Sequence, residues 1–144
     1  MFLLDVNILV YAYRPEQSPM ALAARTWLDR SMAAKASLAV TNEILASVIR
    51  IVTDRRIFVH PSPAGQAVDF AQALVDAPTT RVVVPSSRHW PTFIDLVNDQ
   101  RLKGNDVPDA YLAALAIDHG AQLVTTDRGF RRFPGLRIVD PLAA

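Results

Sequence analysis

The sequence predicts one α/β domain over residues 1–144, a three-layer α/β/α sandwich around a central parallel sheet of four to five strands. Three observations carry that expectation. Short, nearly continuous apolar runs closed by polar residues alternate with segments whose apolar positions recur at three and four, the pattern of buried strands separated by amphipathic helices. Strands joined through helices pair in parallel, with right-handed crossovers that cover both faces of the sheet. No internal repeat, low-complexity tract or linker divides the chain.

Phe2 to Leu4 opens the chain as a buried strand that stops at Asp5, and Ile8 to Tyr11 turns into the following helix. Ser18-Pro19 is a helix start signal for Pro19 to Ala34, with Ala21, Ala24, Trp27 and Leu28 near helical spacing. Ser37 to Val40 is the second strand, after which Thr41 caps a helix to about Thr53 whose apolar stripe is Ile44, Leu45, Val48, Ile49 and Val52. Phe58 to Pro63, with two prolines, is a loop; Ala64 to Ala77 is a helix with Val68, Ala71, Leu74 and Val75 on one side. Arg81 to Pro85, holding Val82, Val83 and Val84, reads as a buried strand. Ser87 to Leu102 is helical from a serine cap with Pro91 in its first turn, and Lys103-Gly104-Asn105 ends it. Asp106 to His119 is a helix stopped by Gly120. Gln122 to Thr125 is a strand, Asp127 to Arg132 a turn with a short helix, and Leu136 to Val139 the last strand.

Composition narrows the class. With 51% hydrophobic and 20% charged residues, the chain is neither disordered nor fibrous, and its length buries roughly 70% of the unfolded surface. The absence of cysteine excludes disulfide frameworks, thiolate zinc sites and cysteine nucleophiles. No apolar run reaches the ~20 residues of a membrane helix. The early acid Asp5 and the lack of an early basic region are unlike a signal peptide, so a cytoplasmic protein away from membranes is expected. GxGxxG and GxxxxGK are absent.

In open α/β sheets, ligands bind beyond the carboxyl ends of the strands. Asp5 follows the first strand, Glu43 lies just past the second in the first turn of its helix, and Asp127 follows the strand Gln122 to Thr125. Asp109 sits in the first turn of the alanine-rich helix. Each has a structural alternative: Asp5 as a turn residue, Glu43 as a complement to its helix dipole, Asp106 with Asp109 as half of a capping box, and Asp127 as a turn acid. Four carboxylates converging on one rim instead suit Mg²⁺ or Mn²⁺, hard cations that bind a few acids plus phosphate oxygens. Such a centre activates water and stabilises a phosphoryl group in flight, which outlines a phosphodiester hydrolase. With these four acids set aside, fifteen basic residues, thirteen of them arginine, face ten acids, in keeping with a basic rim for phosphate.

Asp5-Val6-Asn7, Glu43 after Thr41-Asn42, Asp109 in DAYLAALAIDHG, and Thr125-Thr126-Asp127 with Phe130 in LVTTDRGF form an ordered series. From Phe2 to Pro141 the chain resembles the PIN domain, specifically the VapC-type ribonuclease toxins of bacterial toxin–antitoxin pairs. The resemblance implies a PIN-like fold and makes Asp5, Glu43, Asp109 and Asp127 a quartet binding Mg²⁺ or Mn²⁺. Asn7 and Thr126 fall where the family places supporting polar residues. Asp106 reads as the helix cap and Asp109 as the ligand, a choice that reverses or merges if the helix starts a turn earlier. The resemblance further implies a VapB-type antitoxin, a homodimer, and an RNA substrate cut in single-stranded or loop regions, transfer RNA among the options.

In the mechanism this implies, Asp5 and Asp109 are the principal ligands, Asp127 a direct or water-mediated one, and Glu43 positions or deprotonates water, leaving a 5′ phosphate and a 3′ hydroxyl. His60, His89 and His119 lie away from predicted strand ends, and His119 suits a helix C-terminus. Tyr11, Tyr13, Arg14, Arg55, Arg56, Lys103, Arg128, Arg131 and Arg132 are candidate RNA contacts, while Trp27 and Trp90 read as packing residues. The faces at Trp27-Leu28 and Ile44 to Val52 serve either partner contacts or the core. Two alternatives stand beside this reading: another Mg²⁺-dependent phosphoryl-transfer enzyme such as a phosphatase, and a non-catalytic PIN-like RNA-binding module. Asn7 counts against the haloacid-dehalogenase pattern, which wants an acid there.

Overall fold

The computed structural model describes residues 1–143, in which five strands of three residues each form one parallel sheet. They are β1 (Phe2–Leu4), β2 (Leu38–Val40), β3 (Thr80–Val82), β4 (Gln122–Val124) and β5 (Arg137–Val139), in the order β3-β2-β1-β4-β5. The chain therefore builds outward from β1 to one edge and returns to build the other side, and the order reverses between β1 and β4. That reversal opens a crevice at the carboxyl ends of the two central strands.

Six helices fill the crossovers: α1 (Val6–Tyr13), α2 (Pro19–Ala33), α3 (Asn42–Val52), α4 (Ala64–Asp76), α5 (His89–Asp99) and α6 (Val107–Asp118). Alternation along the strands sorts the apolar side chains into two cores. Leu4, Leu38, Val40 and Val124 pack with residues of α1 to α4, including Ile8, Leu9, Leu28, Val48 and Leu74. Leu3, Ala39 and Leu123 face the other way, onto Phe93 and Leu96 of α5 and the alanines of α6. The small side chains of α6 let that helix lie close against the sheet. The apolar positions Leu28, Ile44, Leu45, Val48 and Val52, held open above for partner contacts, are buried in the first core. Trp27 packs edge-on against Phe2, with centroids 5.4 Å apart. Among the described residues, no helix is long and apolar enough to cross a membrane.

Several expectations are corrected. The run Arg81 to Pro85 is not a buried strand: β3 is the edge, and Val82 and Val84 are 39% and 65% exposed while Val83 is buried. An edge strand covered on one face leaves alternate residues in water. The helix after β1 begins at Val6, directly behind Asp5, rather than developing from Ile8. Helix α5 starts at His89 without a serine cap, because Ser86 is drawn to the buried Asp118 carboxylate through both its amide (2.8 Å) and its hydroxyl. Trp90 is 63% exposed and not a core residue. Gly120 terminates α6 at φ +63°, a left-handed conformation that glycine adopts without a Cβ penalty.

Candidate active site

Asp5 is the first residue beyond β1, and Thr125 the first beyond its neighbour β4. The Asp5 carboxylate accepts from the Val6 amide at 2.8 Å, which caps α1, and from the Thr125 hydroxyl at 2.7 Å. Thr125 Oγ1 in turn accepts from Asn7 Nδ2 (3.3 Å) and from the Asp127 amide (3.0 Å). Thr125, 1% exposed, is thus the hub that ties the two strand ends together. Thr126, the residue expected to support the acids, makes no side-chain hydrogen bond among the described residues. Burial pushes the Asp5 carboxyl above the ordinary aspartate range; the Thr125 and Val6 bonds pull it back in part, and the Asp127 charge adds to the push.

Asp109 stands in the first turn of α6 and, with Asp5 and Glu43, lines one cleft of about 560 Å³. Burial raises its carboxyl too, and Asp127 raises it further; the Arg132 guanidinium opposes this, while Asp5 and Asp106 add smaller pushes. Glu43 is presented, exposed, by the first turn of α3, whose start is fixed by Thr41 Oγ1 accepting from the Ile44 amide at 3.0 Å. Asp127 is exposed beyond β4, its Oδ1 accepting from Gly129 N at 2.8 Å, and its field reaches both Asp5 and Asp109. The fold therefore sets Asp5, Glu43 and Asp109 along one cleft, with Asp127 near enough for its charge to act on Asp5 and Asp109.

Asp106 departs from the expected role. It precedes α6 in helical backbone and makes no side-chain capping bond. Its carboxylate lies instead 3.6 Å from Arg132 Nη2, which is also 3.2 Å from Asp109 Oδ2. Arg132, stacked over Phe133 at 4.9 Å, bridges the two acids. Neither this bridge nor the Thr125 hub was found from the sequence.

Among the described residues, no three carboxylate or imidazole groups are gathered tightly enough to enclose a cation. The donors are nevertheless hard oxygens around an open cleft, which leaves room for water and phosphate in a coordination shell. Two further features suit a cation there. Asn7 Oδ1 is buried without a hydrogen-bond partner, and Asp5 and Asp109 repel one another and Asp127.

The histidines lie elsewhere. His60 is in an exposed loop; His89 is buried, its Nε2–H donating to Tyr111 O at 2.9 Å; His119 ends α6 and donates from Nε2 to Val84 O at 2.7 Å. Of the candidate RNA contacts, Tyr13 packs on Phe70, Arg14 stacks on Phe58 and donates to Ser62, and Arg56 pairs with Asp54. Tyr11 is half-buried. Arg55, Lys103, Arg128 and Arg131 are exposed and, among the described residues, make no ion pair.

The chain and its fold are similar to those of known proteins. The PIN domain family model matches residues 2–136. Ribonuclease VapC43 of Mycobacterium tuberculosis is 39% identical over 142 residues, spanning 99% of this chain and 96% of that protein. Ribonuclease VapC31 of the same species is 38% identical over 141 residues, spanning 98% and 99%. Among solved structures, VapBC2 from Rickettsia felis, bound to a DNA fragment from its promoter, aligns with a TM-score of 0.68 at 18% identity, covering 96% of both chains. A toxin–antitoxin complex from Klebsiella pneumoniae aligns at 0.63 and 20% identity, covering 98% of both.

Proposed function

The chain belongs to the PIN-domain family, in its VapC group, and from that premise we propose that it is an endoribonuclease toxin which cleaves RNA with activated water, depends on Mg²⁺ or Mn²⁺, and is restrained by a VapB-type antitoxin. The observation that supports the chemistry is that Asp5, Glu43 and Asp109 line one cleft at the carboxyl ends of the strands, with the charge of Asp127 acting on Asp5 and Asp109. The ribonuclease names of the relatives support the substrate class, and the Klebsiella pneumoniae complex supports an antitoxin partner.

Asp5, Asp109 and Asp127 hold the cation in this reading. Bound there, it supplies Lewis-acid polarisation of water and of phosphoryl oxygens. Glu43, exposed on the first turn of α3, takes the proton of the attacking water. Thr125 and the start of α1 hold Asp5 in one orientation, so no reorganisation is needed as charge develops. Water attacks phosphorus and the 3′ oxygen leaves, taking a proton from solvent water, to give a 5′ phosphate and a 3′ hydroxyl. The in-line geometry favours single-stranded or loop RNA, whose phosphates are accessible.

The test is a gel of defined RNAs incubated with the protein and Mg²⁺, Mn²⁺ or chelator, beside Asp5→Asn and Asp109→Asn. Cleavage by wild type only with metal, lost in both variants, is expected. Cleavage in chelator, full activity in both variants, or hydrolysis of small phosphate esters with RNA left intact overturns the assignment.

A further inference from the structure

Asp5, Glu43 and Asp109 share their cleft with an apolar wall that includes Val83, Val84 and Pro85 at the exit of β3, Phe93 of α5, and Tyr111 of α6. A phosphate and its ribose give no reason for such a wall. Tyr111 lies two residues along α6 from Asp109, and it is 41% exposed although aromatic. Its ring is held by neighbours set across it: His89 at 4.4 Å and 65°, and Phe93 at 5.4 Å and 72°. His89 is itself locked by its bond to Tyr111 O. Trp90, 63% exposed, extends the cluster 5.5 Å from Phe93. A large ring left part-exposed beside a polar centre and already fixed in orientation, as Tyr111 is, loses little freedom on binding a flat partner.

We propose that this wall is a nucleobase subsite, in which Tyr111 stacks on an unpaired base of the RNA whose backbone crosses the acids. The inference rests on the ribonuclease reading and adds a way to select single strands. Every base has an aromatic face, but only an unstacked one presents it. The cleft volume of about 560 Å³ is in the range of small-ligand sites and accommodates a nucleotide. Continuity with Asp5, Glu43 and Asp109 places base and backbone in one cavity.

Binding is read by fluorescence anisotropy in the Asp5→Asn background, with a short oligoadenylate and an abasic ribose-phosphate strand of equal length. The oligoadenylate is expected to bind roughly five- to a hundredfold more tightly, the span of a stacking contact. Tyr111→Leu should erase most of that gap and Tyr111→Phe keep it. Equal affinity for the two strands, which needs no Tyr111 variant, overturns the subsite, as does an unchanged gap in Tyr111→Leu. So does RNA binding that is intact in Tyr111→Leu and Trp90→Ala while a purified antitoxin no longer binds, since the wall then belongs to a protein contact. A base-dependent gap in a protein whose wild type cuts no RNA keeps the subsite and removes the ribonuclease reading; cutting without a gap does the reverse.

Discussion

Thr125→Val is the substitution that most directly tests how the site is held. Thr125 Oγ1 donates to Asp5 at 2.7 Å and accepts from Asn7 Nδ2 at 3.3 Å and from the Asp127 amide at 3.0 Å, in a position 1% exposed. Valine keeps the shape and removes all three bonds. The largest loss is at Asp5, a 7% exposed carboxylate, where a hydrogen bond to a charged group contributes about 1.5–3 kcal/mol. The Asp127 amide belongs to an exposed residue and recovers water, so the total is about 2–4 kcal/mol, against the ~5–15 kcal/mol of an ordinary domain. With a urea slope of about 1–3 kcal/mol/M, the midpoint should fall by on the order of 1–2 M. The pH dependence has a definite sign. The folded Asp5 carboxyl is raised, so its ionisation costs stability as pH rises through that folded value, and the Thr125 bond is the larger of the two, with that from Val6, that limit the cost. The deficit of Thr125→Val should therefore open as pH rises and narrow in acid. Urea titrations in chelator at pH 4 and pH 7, followed by circular dichroism, measure it, with Thr125→Ser as the variant that keeps the hydroxyl. A Thr125→Val protein within ~0.5 kcal/mol of wild type, or a deficit that widens on acidification, would refute the reasoning.

Three further outcomes follow from the same electrostatics. Asp5→Asn should raise the melting temperature of chelated protein at pH 7 while abolishing RNA cleavage: a raised folded value means stability present in acid and lost above it, and the amide escapes that loss. A lower melting temperature at pH 7 would contradict this. Asp118 works in the opposite sense. Burial pushes its carboxyl up, but the Ser86 hydroxyl and amide, His119 and Arg88 together carry it below the ordinary range. Its contribution is present above the unfolded value near 3.9 and fades as pH falls through the folded one, so Asp118→Asn should be less stable at pH 7 and converge on wild type in strong acid, as thermal melts across pH would show. Arg132→Met removes the cation that holds the Asp109 carboxyl down, and the acid limb of kcat/KM for RNA should move to higher pH. The stability change should stay under ~1 kcal/mol, since both side chains are about 30% exposed.

The positions of the acids were readable because a strand's end is marked by composition. Leu4 gives way to Asp5, and Thr125-Thr126 to Asp127, and parallel topology places ligands at such ends. What reaches across the sheet was not readable. Asp106 and Asp109 have the spacing of a helix start, but a short 3₁₀ turn over Gly104–Asp106 sets Asp106 in helical backbone, and its carboxylate pairs with Arg132 far along the chain. Three valines in a row read as a buried strand, yet composition does not say whether a strand lies at the centre or the edge. The same blindness hid Trp90, whose helix covers the sheet with Phe93 and Leu96 and leaves the indole outside.

The choice between Thr125 and Thr126 shows what decides such contacts. Leu4 pairs with Val124, so the next residues of the two strands, Asp5 and Thr125, leave the sheet side by side. The same register sends Leu3 and Leu123 into one core and Leu4 and Val124 into the other, all at 1% exposure or less. A slip of β4 by one residue would turn Leu123 and Val124 to the wrong faces and set Val124 or Thr126 beside Asp5. Because both faces are cores, each misplaced side chain would be forced into packing shaped for another, at about 1–3 kcal/mol apiece, so the two together match or outweigh the single hydroxyl–carboxylate bond that the slip also breaks. The register is therefore held by the cores, and the donor to Asp5 is selected by packing on both faces of the sheet rather than by the strength of its own hydrogen bond.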